Sequence, residues 1–303
     1  MKKKKAELLH LCSELGVEVK SRWTKGVLAD LLSSALSDQE ELAYLLPRNA
    51  FLALAGRSEC DGYCSGILDH FGLDGKPLHI FLELSNKSAL KLVKRLDIIE
   101  ELVKGQVIIC GMIPIDELVG LVSYSLKNAH GKEWRNLYSD DERLEAETRR
   151  LLDRRFGLVR ADLKGTGIVM CREEVAEPLK VAYAQEISGV SKYKGFSADE
   201  LLDPESQMKR GEVKKLQDIL ELLGSFANEN ELKTMKEELI LARDKIASGH
   251  NELEIVRGLA EIASFPGSDE LVAFIGATTS WCGSIRRWEL KGHTRDEIED
   301  GNI

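Results

Sequence analysis

Residues 212–264 read EVKKLQDILELLGSFANENELKTMKEELILARDKIASGHNELEIVRGLAEIAS, and this stretch decides the fold class. Apolar residues recur every three or four positions in three blocks, which predicts amphipathic helices over 212–225, 229–247 and 251–264. The residues expected to face the core are Val213, Leu216, Ile219, Leu220, Leu223, Leu232, Met235, Leu239, Ile240, Ile246, Leu253, Val256, Leu259 and Ile262. We therefore predict a helical bundle or short solenoid over residues 212–303, with an apolar segment near the C-terminus.

The residues before this bundle predict a smaller mixed α/β domain over 77–186. A helix opens at Pro77, a second helical pattern ends at Gly105, and an apolar, β-branched run predicts a buried strand over 107–110. A β-hairpin predicted over 157–171 follows a highly charged helix, as a wing follows the helices of a winged-helix fold. The predicted fold class is therefore mainly α with a small α/β, winged-helix-like middle part.

Two polar stretches predict the boundaries of this middle domain. Residues 41–76 predict a helix ending near Pro47 and then a linker rich in Gly, Asp and Ser from Gly56 onward. Residues 187–211, rich in Ser, Gly, Lys and Asp, predict a second linker. Residues 1–40 are then predicted to form a separate N-terminal module.

This N-terminal module carries the strongest functional signal. Residues 6–36 read AELLHLCSELGVEVKSRWTKGVLADLLSSAL. They predict a helix stopped by Gly16, a short extended segment and a second helix that Thr24 can cap. The pattern resembles the SAP and Rho N-terminal group of helix–extension–helix domains, which bind nucleic acid.

The resemblance implies which residues contact phosphate. In those families, basic residues near the start of the second helix do so, and the matching positions here are Lys20, Arg22 and Lys25. Free amides at a helix N-terminus also favour an anion. Trp23 lies beside them and either stacks on a base or packs against the second helix. The resemblance covers about a tenth of the chain, so a packing hairpin or a protein-docking module stays as the alternative.

A second basic cluster follows in the predicted charged helix and hairpin. It comprises Arg154, Arg155, Arg160 and Lys164, with Arg149 and Arg150 just before them. If the hairpin is a wing, these side chains are candidates for nucleic-acid contact. The alternative is that the acidic residues of the same helix balance them along a solvated face.

The charge distribution limits where nucleic acid can bind. The chain carries a formal charge of −9, yet residues 1–37 sum to +3 and the remainder to −12. Non-specific affinity for nucleic acid grows with the number of phosphates neutralised, and an acidic body offers no broad phosphate-binding surface. We therefore expect a local contact at the N-terminus, with DNA favoured over RNA.

Hydropathy and cysteine usage predict the compartment. The longest apolar runs fall far short of the roughly 20 residues that cross a bilayer, and no apolar stretch follows the N-terminal lysines. The six cysteines are scattered along the chain, which favours reduced thiols and a reducing compartment. The sequence thus predicts no membrane association and a cytoplasmic protein.

A catalytic reading rests on three residues near the C-terminus. Asp269, Glu289 and Lys291 are the residue types with which restriction-like nucleases hold a divalent ion and assist the attacking water. In that family these residues lie on adjacent strands that are followed by further secondary structure, whereas only a few residues, most of them polar, follow Lys291. A metal-dependent nuclease is therefore only a further alternative. We predict no cofactor and no metal, since Cys60 and Cys64 have no second ligand pair.

The C-terminal segment predicts a protein interface. Trp281 and Trp288 lie in an apolar stretch close to the end of the chain, which must either close the bundle or contact another molecule. We predict self-association or partner binding through these two residues. The leading hypothesis is a nucleic-acid-associated accessory or regulatory protein, tethered by its N-terminal module and docking a protein partner through its C-terminal helices. A protein–protein scaffold that never binds nucleic acid is the alternative.

Overall fold

The computed structural model describes residues 4–14, 19–20, 22–37, 39–54, 62–71, 87–130, 140–155, 157–164, 166–171, 175–202 and 210–301. The chain forms two compact units, each built from two segments. Unit 1 comprises Met1–Leu102 and Gly131–Leu158, and unit 2 comprises Val103–His130 and Val159–Ile303. The helix predicted to open at Pro77 lies outside the described residues.

The described elements are fifteen helices and three short strands, so the fold is mainly α with a small antiparallel sheet, as the sequence predicts. In chain order they are α1 (Lys5–Glu14), α2 (Lys25–Ser37), α3 (Gln39–Leu45), α4 (Arg48–Leu54), α5 (Gly62–His70), α6 (Lys87–Cys110), β1 (Met112–Pro114), α7 (Ile115–Lys127), α8 (Asp141–Arg154), β2 (Arg160–Leu163), β3 (Gly167–Cys171), α9 (Pro178–Ile187), α10 (Ala198–Leu201), α11 (Arg210–Gly224), α12 (Glu229–Ala247), α13 (Glu252–Ile262), α14 (Ser268–Gly283) and α15 (Arg295–Glu299). No described helix combines the length and apolarity needed to span a membrane.

The described secondary-structure elements of unit 1 are all helices. The charged helix α8 begins where the Asp140 side chain accepts a hydrogen bond from the amide of Arg143. Its core side is anchored by a buried ion pair, in which Arg95 donates to Glu147 at 2.6 Å. The predicted helix before Pro47 is present as α3. The linker predicted from Gly56 to Lys76 is wrong in part, because α5 lies inside it and buries Cys64, Ile67, Leu68 and Phe71.

The predicted hairpin of unit 2 is confirmed, and a third strand extends it. Strand β3 pairs antiparallel with β2 on one side and with β1 on the other, giving the order β1-β3-β2. Met112 lies opposite Cys171, and both are buried, whereas the buried Leu163 lies opposite the exposed Gly167 at the other end of β3. The sheet is covered on one side by α9, whose start at Pro178 matches the preference of proline for the first helical turn.

The strand predicted over 107–110 is wrong. Helix α6 continues through these residues to Cys110, and the sheet starts only at Met112. Gly105 does not end the helix as predicted. It lies inside α6, where the helix packs closely against the backbone of α10. A Cβ added at Gly105 would lie 2.5 Å from the carbonyl oxygen of Leu201, so no larger residue fits there.

The linker predicted over 187–211 is also wrong in its first half. Residues up to 202 belong to unit 2, and Val190, Phe196 and Leu201 are buried in it. A capping box at Ser197 starts α10, in which the Ser197 hydroxyl and the Glu200 carboxylate satisfy each other's backbone amides. Residues 203–209 lie outside the described part of the chain.

The three helices predicted over 212–264 are confirmed as α11, α12 and α13. Asn228 and Asn251 cap the second and third, each accepting two backbone amides with its side-chain oxygen. With α14 they enclose one core that includes Ile219, Leu223, Met235, Leu239, Ile246, Val256, Leu259, Phe274, Trp281 and Ile285. Three residues expected in this core are exposed instead, Ile240 at 62%, Leu253 at 77% and Ile262 at 43%.

Candidate nucleic-acid interface

The N-terminal module places two helices where the sequence predicts them. Helices α1 and α2 pack through Leu8 and Cys12 of α1 and Leu28 of α2, all fully buried. The spacing of four residues puts Leu8 and Cys12 on the same face of α1. Residues 15–18, which include the predicted glycine stop and most of the extended segment, lie outside the described residues.

The basic residues of this module lie next to one another in sequence at the start of α2. Lys20, Arg22 and Lys25 are exposed, and Trp23 is half-buried. The backbone amide of Trp23 donates to the carbonyl oxygen of Lys20 at 2.9 Å, which closes a turn between them. In the part of the chain that the structure describes, none of the three cations forms an ion pair. Their charge is therefore available to an external anion.

The end of α2 next to these cations favours negative charge. The Thr24 hydroxyl oxygen accepts the backbone amide of Val27 at 3.4 Å, so Thr24 caps the helix as predicted. The remaining amides of the first turn have no partner within the helix and carry partial positive charge. A phosphate there would meet backbone donors and lysine and arginine side chains together.

Arg155 of the second basic cluster is not a surface residue. Its side chain is 1% exposed, its Nε lies 3.1 Å from Oε2 of Glu100, and it donates to the carbonyl oxygen of Leu46. Burial lowers the pKa of the Arg155 guanidinium, and the charge of Glu100 opposes that shift. The prediction that Arg155 contacts nucleic acid is therefore wrong, because its side chain is buried in unit 1 and binds Glu100 and Leu46 there.

The other members of this cluster fall in different units. Arg154 is half-buried at the end of α8 in unit 1, whereas the exposed Arg160 and Lys164 belong to the hairpin of unit 2. Arg150 is engaged within unit 1 by an ion pair with Glu41. Neither unit therefore contains the whole cluster that the sequence suggests.

The nuclease residues do not form the predicted arrangement. Asp269 is exposed in the first turn of α14, while Glu289 and Lys291 follow the end of that helix. Glu289 accepts Nη1 of Arg287 at 3.5 Å, and Nζ of Lys291 donates to the carbonyl oxygen of Val190 at 2.7 Å. None of the three lies on a strand. Among the described residues, no group of three or more His, Cys, Asp and Glu side chains could hold a metal ion.

The two tryptophans predicted at a partner interface face the interior of unit 2. Trp281 is fully buried in the helical core, and Trp288 is 8% exposed in the small cluster with Met112 and Val169. The backbone amide of Trp288 also donates to the carbonyl oxygen of Ala247 at 2.9 Å. Trp281 therefore has no surface to lose to a partner, so its assignment to an interface is wrong, whereas Trp288 keeps a small exposed part of its side chain.

Unit 2 contains a cleft that the sequence analysis missed. It has a volume of about 760 Å³, within the range of small-molecule sites. Trp288 and two valines supply apolar lining, and charged residues of α9 and of the α12–α13 turn surround them. The lining residues are Val175, Ala176, Glu177, Lys180, Val181, Asp244, Lys245, Ser248, Gly249, His250 and Trp288. Three distant segments contribute, so no local motif could reveal it.

One imidazole lines this cleft. Nδ1 of His250 lies 3.1 Å from the carbonyl oxygen of Lys245 and 3.1 Å from Oγ of Ser248, so both groups hold the ring in place. The carboxylate of Glu289 lies against Gly249 of the same cleft, and burial raises the pKa of Glu289, although Arg287 partly opposes that shift.

Comparisons with known proteins find nothing that identifies this chain. No family model matches it, and neither the curated proteins nor the solved structures contain a significant match. The resemblance of residues 6–36 to SAP and Rho N-terminal domains therefore stays a prediction.

Proposed function

We propose that this chain is a nucleic-acid-associated accessory protein that is tethered through its N-terminal module and docks a protein partner through its C-terminal helices. One observation carries the first half. Lys20, Arg22 and Lys25 are exposed at the N-terminal end of α2, without ion pairs to any described residue. Phosphate contacts of this kind position a protein on nucleic acid and supply affinity that falls with salt.

The charge of the rest of the chain supports a local tether. A body of −12 repels a polyanion, so a ligand bound at the N-terminal module has no reason to spread over the remaining surface. Trp23 is half-buried next to the cations, so part of its ring is exposed beside the proposed phosphate contacts. Duplex DNA is the ligand that we propose. We assign no catalytic activity.

The test is binding of labelled duplex DNA by fluorescence anisotropy over a series of salt concentrations. The variant replaces Lys20, Arg22 and Lys25 together by Ala. Each lost phosphate contact should lower the slope of log K against log salt by about 0.9, so we expect a slope flatter by roughly two to three units and weaker binding. A single-stranded RNA of the same length is titrated in parallel.

A matched control separates the effect of losing this site from the effect of lowering the net charge. Lys214, Lys233 and Lys236 are exposed on α11 and α12, and replacing all three by Ala removes the same charge elsewhere. The control should bind DNA like the wild type. If the N-terminal variant keeps its affinity and salt slope, or if the wild type binds neither nucleic acid, the tether is refuted and the protein scaffold becomes the better description.

A further inference from the structure

The cleft of unit 2 has an apolar floor that contacts within the unit hold in place. Trp288, Val175 and Val181 line this floor. The backbone amide of Trp288 donates to the carbonyl oxygen of Ala247 at 2.9 Å, and Gly111 lies directly against the indole ring. A bound apolar group would therefore not have to order the floor first, which lowers the cost of binding.

The polar rim of the cleft is held in place as well. The hydroxyl of Ser248 donates to the carbonyl oxygens of Asp244 and Lys245 at 2.9 and 3.0 Å. The same carbonyl oxygen of Lys245 lies 3.1 Å from Nδ1 of His250, so the imidazole is fixed through this nitrogen. Nε2 of His250 forms no hydrogen bond with any described residue and stays available to a ligand.

The acidic side chains at this cleft already have cations beside them. Among the described residues, three carboxylates lie in its lining or directly behind it. The pairs are Glu177 with Lys180 at 2.7 Å, Asp244 with Arg243 at 3.9 Å, and Glu289 with Arg287 at 3.5 Å. These carboxylates are therefore largely neutralised by their neighbours.

Lys245 is the cation of this lining that is left over. It is exposed in the last turn of α12 and forms no ion pair with any described residue. The described lining thus combines one uncompensated positive charge with an apolar floor, and the imidazole of His250 lies beside that charge. An anionic group could form a charge-assisted hydrogen bond with Nζ of Lys245.

A smaller cavity on the other side of Lys245 has a different charge. It has a volume of about 340 Å³, lies between α12 and α13, and shares Lys245 and His250 with the larger cleft. Its lining includes the carboxylates of Glu238 and Glu254, which form no ion pair with a described residue. Because like charges repel, an anion paired with Lys245 would keep the rest of its body on the Trp288 side.

From this arrangement we infer that the cleft binds a small carboxylate with an aromatic body. The aromatic part packs on Trp288, Val175 and Val181, since contact between two aromatic groups stabilises beyond the area that it buries. The carboxylate pairs with Lys245 and reaches Nε2 of His250. One uncompensated cation matches a monoanion better than a phosphate, which carries up to two negative charges. The inference goes beyond the proposed function and does not depend on it.

Calorimetric titration of the full chain tests the class of ligand. The probe is naphthylacetate, which has an aromatic body and a single carboxylate. We expect a Kd in the range of about 0.1 to 1 mM for a ligand of this size. The neutral naphthylacetamide should bind about tenfold more weakly, because it cannot form the charge-assisted bond. The cationic naphthylmethylamine should bind more weakly still.

Two variants test the place of binding. Lys245→Met removes the cation and should weaken naphthylacetate binding about tenfold. Lys236→Met is its matched control, because Lys236 is exposed on the same helix but lines neither cavity. Ala176→Trp fills the cleft from an exposed position in its lining and should abolish binding. Its control is Ala273→Trp, at an exposed position on α14. Circular dichroism should be the same for all four variants.

Three results would each overturn the inference. The first is a wild type that binds none of the three probes at millimolar concentration. The second is naphthylacetamide or naphthylmethylamine binding as tightly as naphthylacetate, which would refute the anionic class. The third is a Lys245→Met or Ala176→Trp variant that binds naphthylacetate as the wild type does. The titrations contain no DNA, so failure of this site and failure of the tether are distinguishable.

Discussion

The ring of Trp288 lies directly against Gly111, and a Cβ atom added at Gly111 would be only 2.4 Å from Cδ2 of that ring. Gly111 also has a φ of +71°, a backbone conformation that other residues rarely adopt. We expect Gly111→Ala to lower the free energy of unfolding by more than about 2 kcal/mol, through strain and overpacking together. Urea denaturation measures the effect.

Gly167→Ala separates these two causes. Gly167 has a φ of +81°, but nothing lies within 4 Å of an added Cβ. This variant should therefore show the backbone strain alone and lose only about 1 kcal/mol. Equal losses at Gly111 and Gly167 would show that contact with Trp288 contributes nothing.

The side chain of Gln185 links three separate parts of unit 2. Its Nε2 lies 3.2, 3.1 and 2.9 Å from the carbonyl oxygens of Cys110, Met112 and Trp288, and its Oε1 accepts the hydroxyl of Tyr193 at 2.6 Å. Gln185→Glu keeps the size but removes every donor when ionised. We expect a loss of about 2 to 4 kcal/mol at pH 7, because a buried carboxylate then faces carbonyl oxygens.

Tyr193→Phe is the comparison for Gln185→Glu. It removes a single hydrogen bond and should lose about 1 kcal/mol. Thermal unfolding at pH 7 and again near pH 4 extends the test. The glutamate variant should recover part of its stability in acid, because a protonated carboxyl can donate again. A glutamate variant as stable as the wild type at pH 7 would contradict the donor role of Gln185.

Arg155 should matter for stability and not for binding. Arg155→Met leaves the buried carboxylate of Glu100 without this cation, and removal of one partner from a buried pair typically lowers stability by about 3 to 5 kcal/mol. Lys164→Met removes the same charge from the exposed hairpin and should change stability by less than about 0.5 kcal/mol. A stable Arg155→Met protein in chemical denaturation would contradict the internal role.

Two buried thiols should be unreactive in the folded protein. Burial raises the pKa of Cys110 to about 12 and that of Cys282 to about 11, from an ordinary value of 9.0. At pH 8 both are neutral, and the thiolate is the form that alkylates. Iodoacetamide should therefore leave both unmodified until urea is added, as peptide mass spectrometry can show. An exposed thiol from Thr166→Cys should react at once under the same conditions.

The same shift predicts how stability depends on pH. The folded pKa of Cys110 is above the unfolded value, so the folded protein holds its proton more tightly. This contribution is fully present below about pH 9 and is lost as pH rises toward 12. Cys110→Ser should weaken the decline in melting temperature over that alkaline range.

Local patterns predicted the elements whose neighbours in sequence are also their neighbours in space. Helices α11 to α13 follow one another in chain and in contact, so periodicity and the asparagine caps were enough to place them. The hairpin was predictable for the same reason. By contrast, residues 107–110 are apolar and mostly β-branched, yet they continue α6, because tertiary context can override strand propensity.

The candidate site was less predictable because its geometry is long-range. Trp288 packs on a glycine more than 170 residues earlier in the chain, and no local signal could show that its ring is covered. Arg155 and Arg154 are adjacent and chemically identical, yet only the first turns inward to Glu100. The exposed cations before α2 were predicted from residue pattern alone, since a short module makes its own core.

The division of α6 has a consequence for synthesis on the ribosome. This helix begins in unit 1 and ends in unit 2, and the segment Gly131–Leu158 returns to complete unit 1. Unit 1 therefore cannot finish folding when its first 102 residues emerge, because α8 and the guanidinium of Arg155 arrive about fifty residues later. At roughly 5 to 20 residues per second, its apolar helices wait several seconds for that segment. During this interval the side chains that α8 later covers stay open to solvent in the nascent chain.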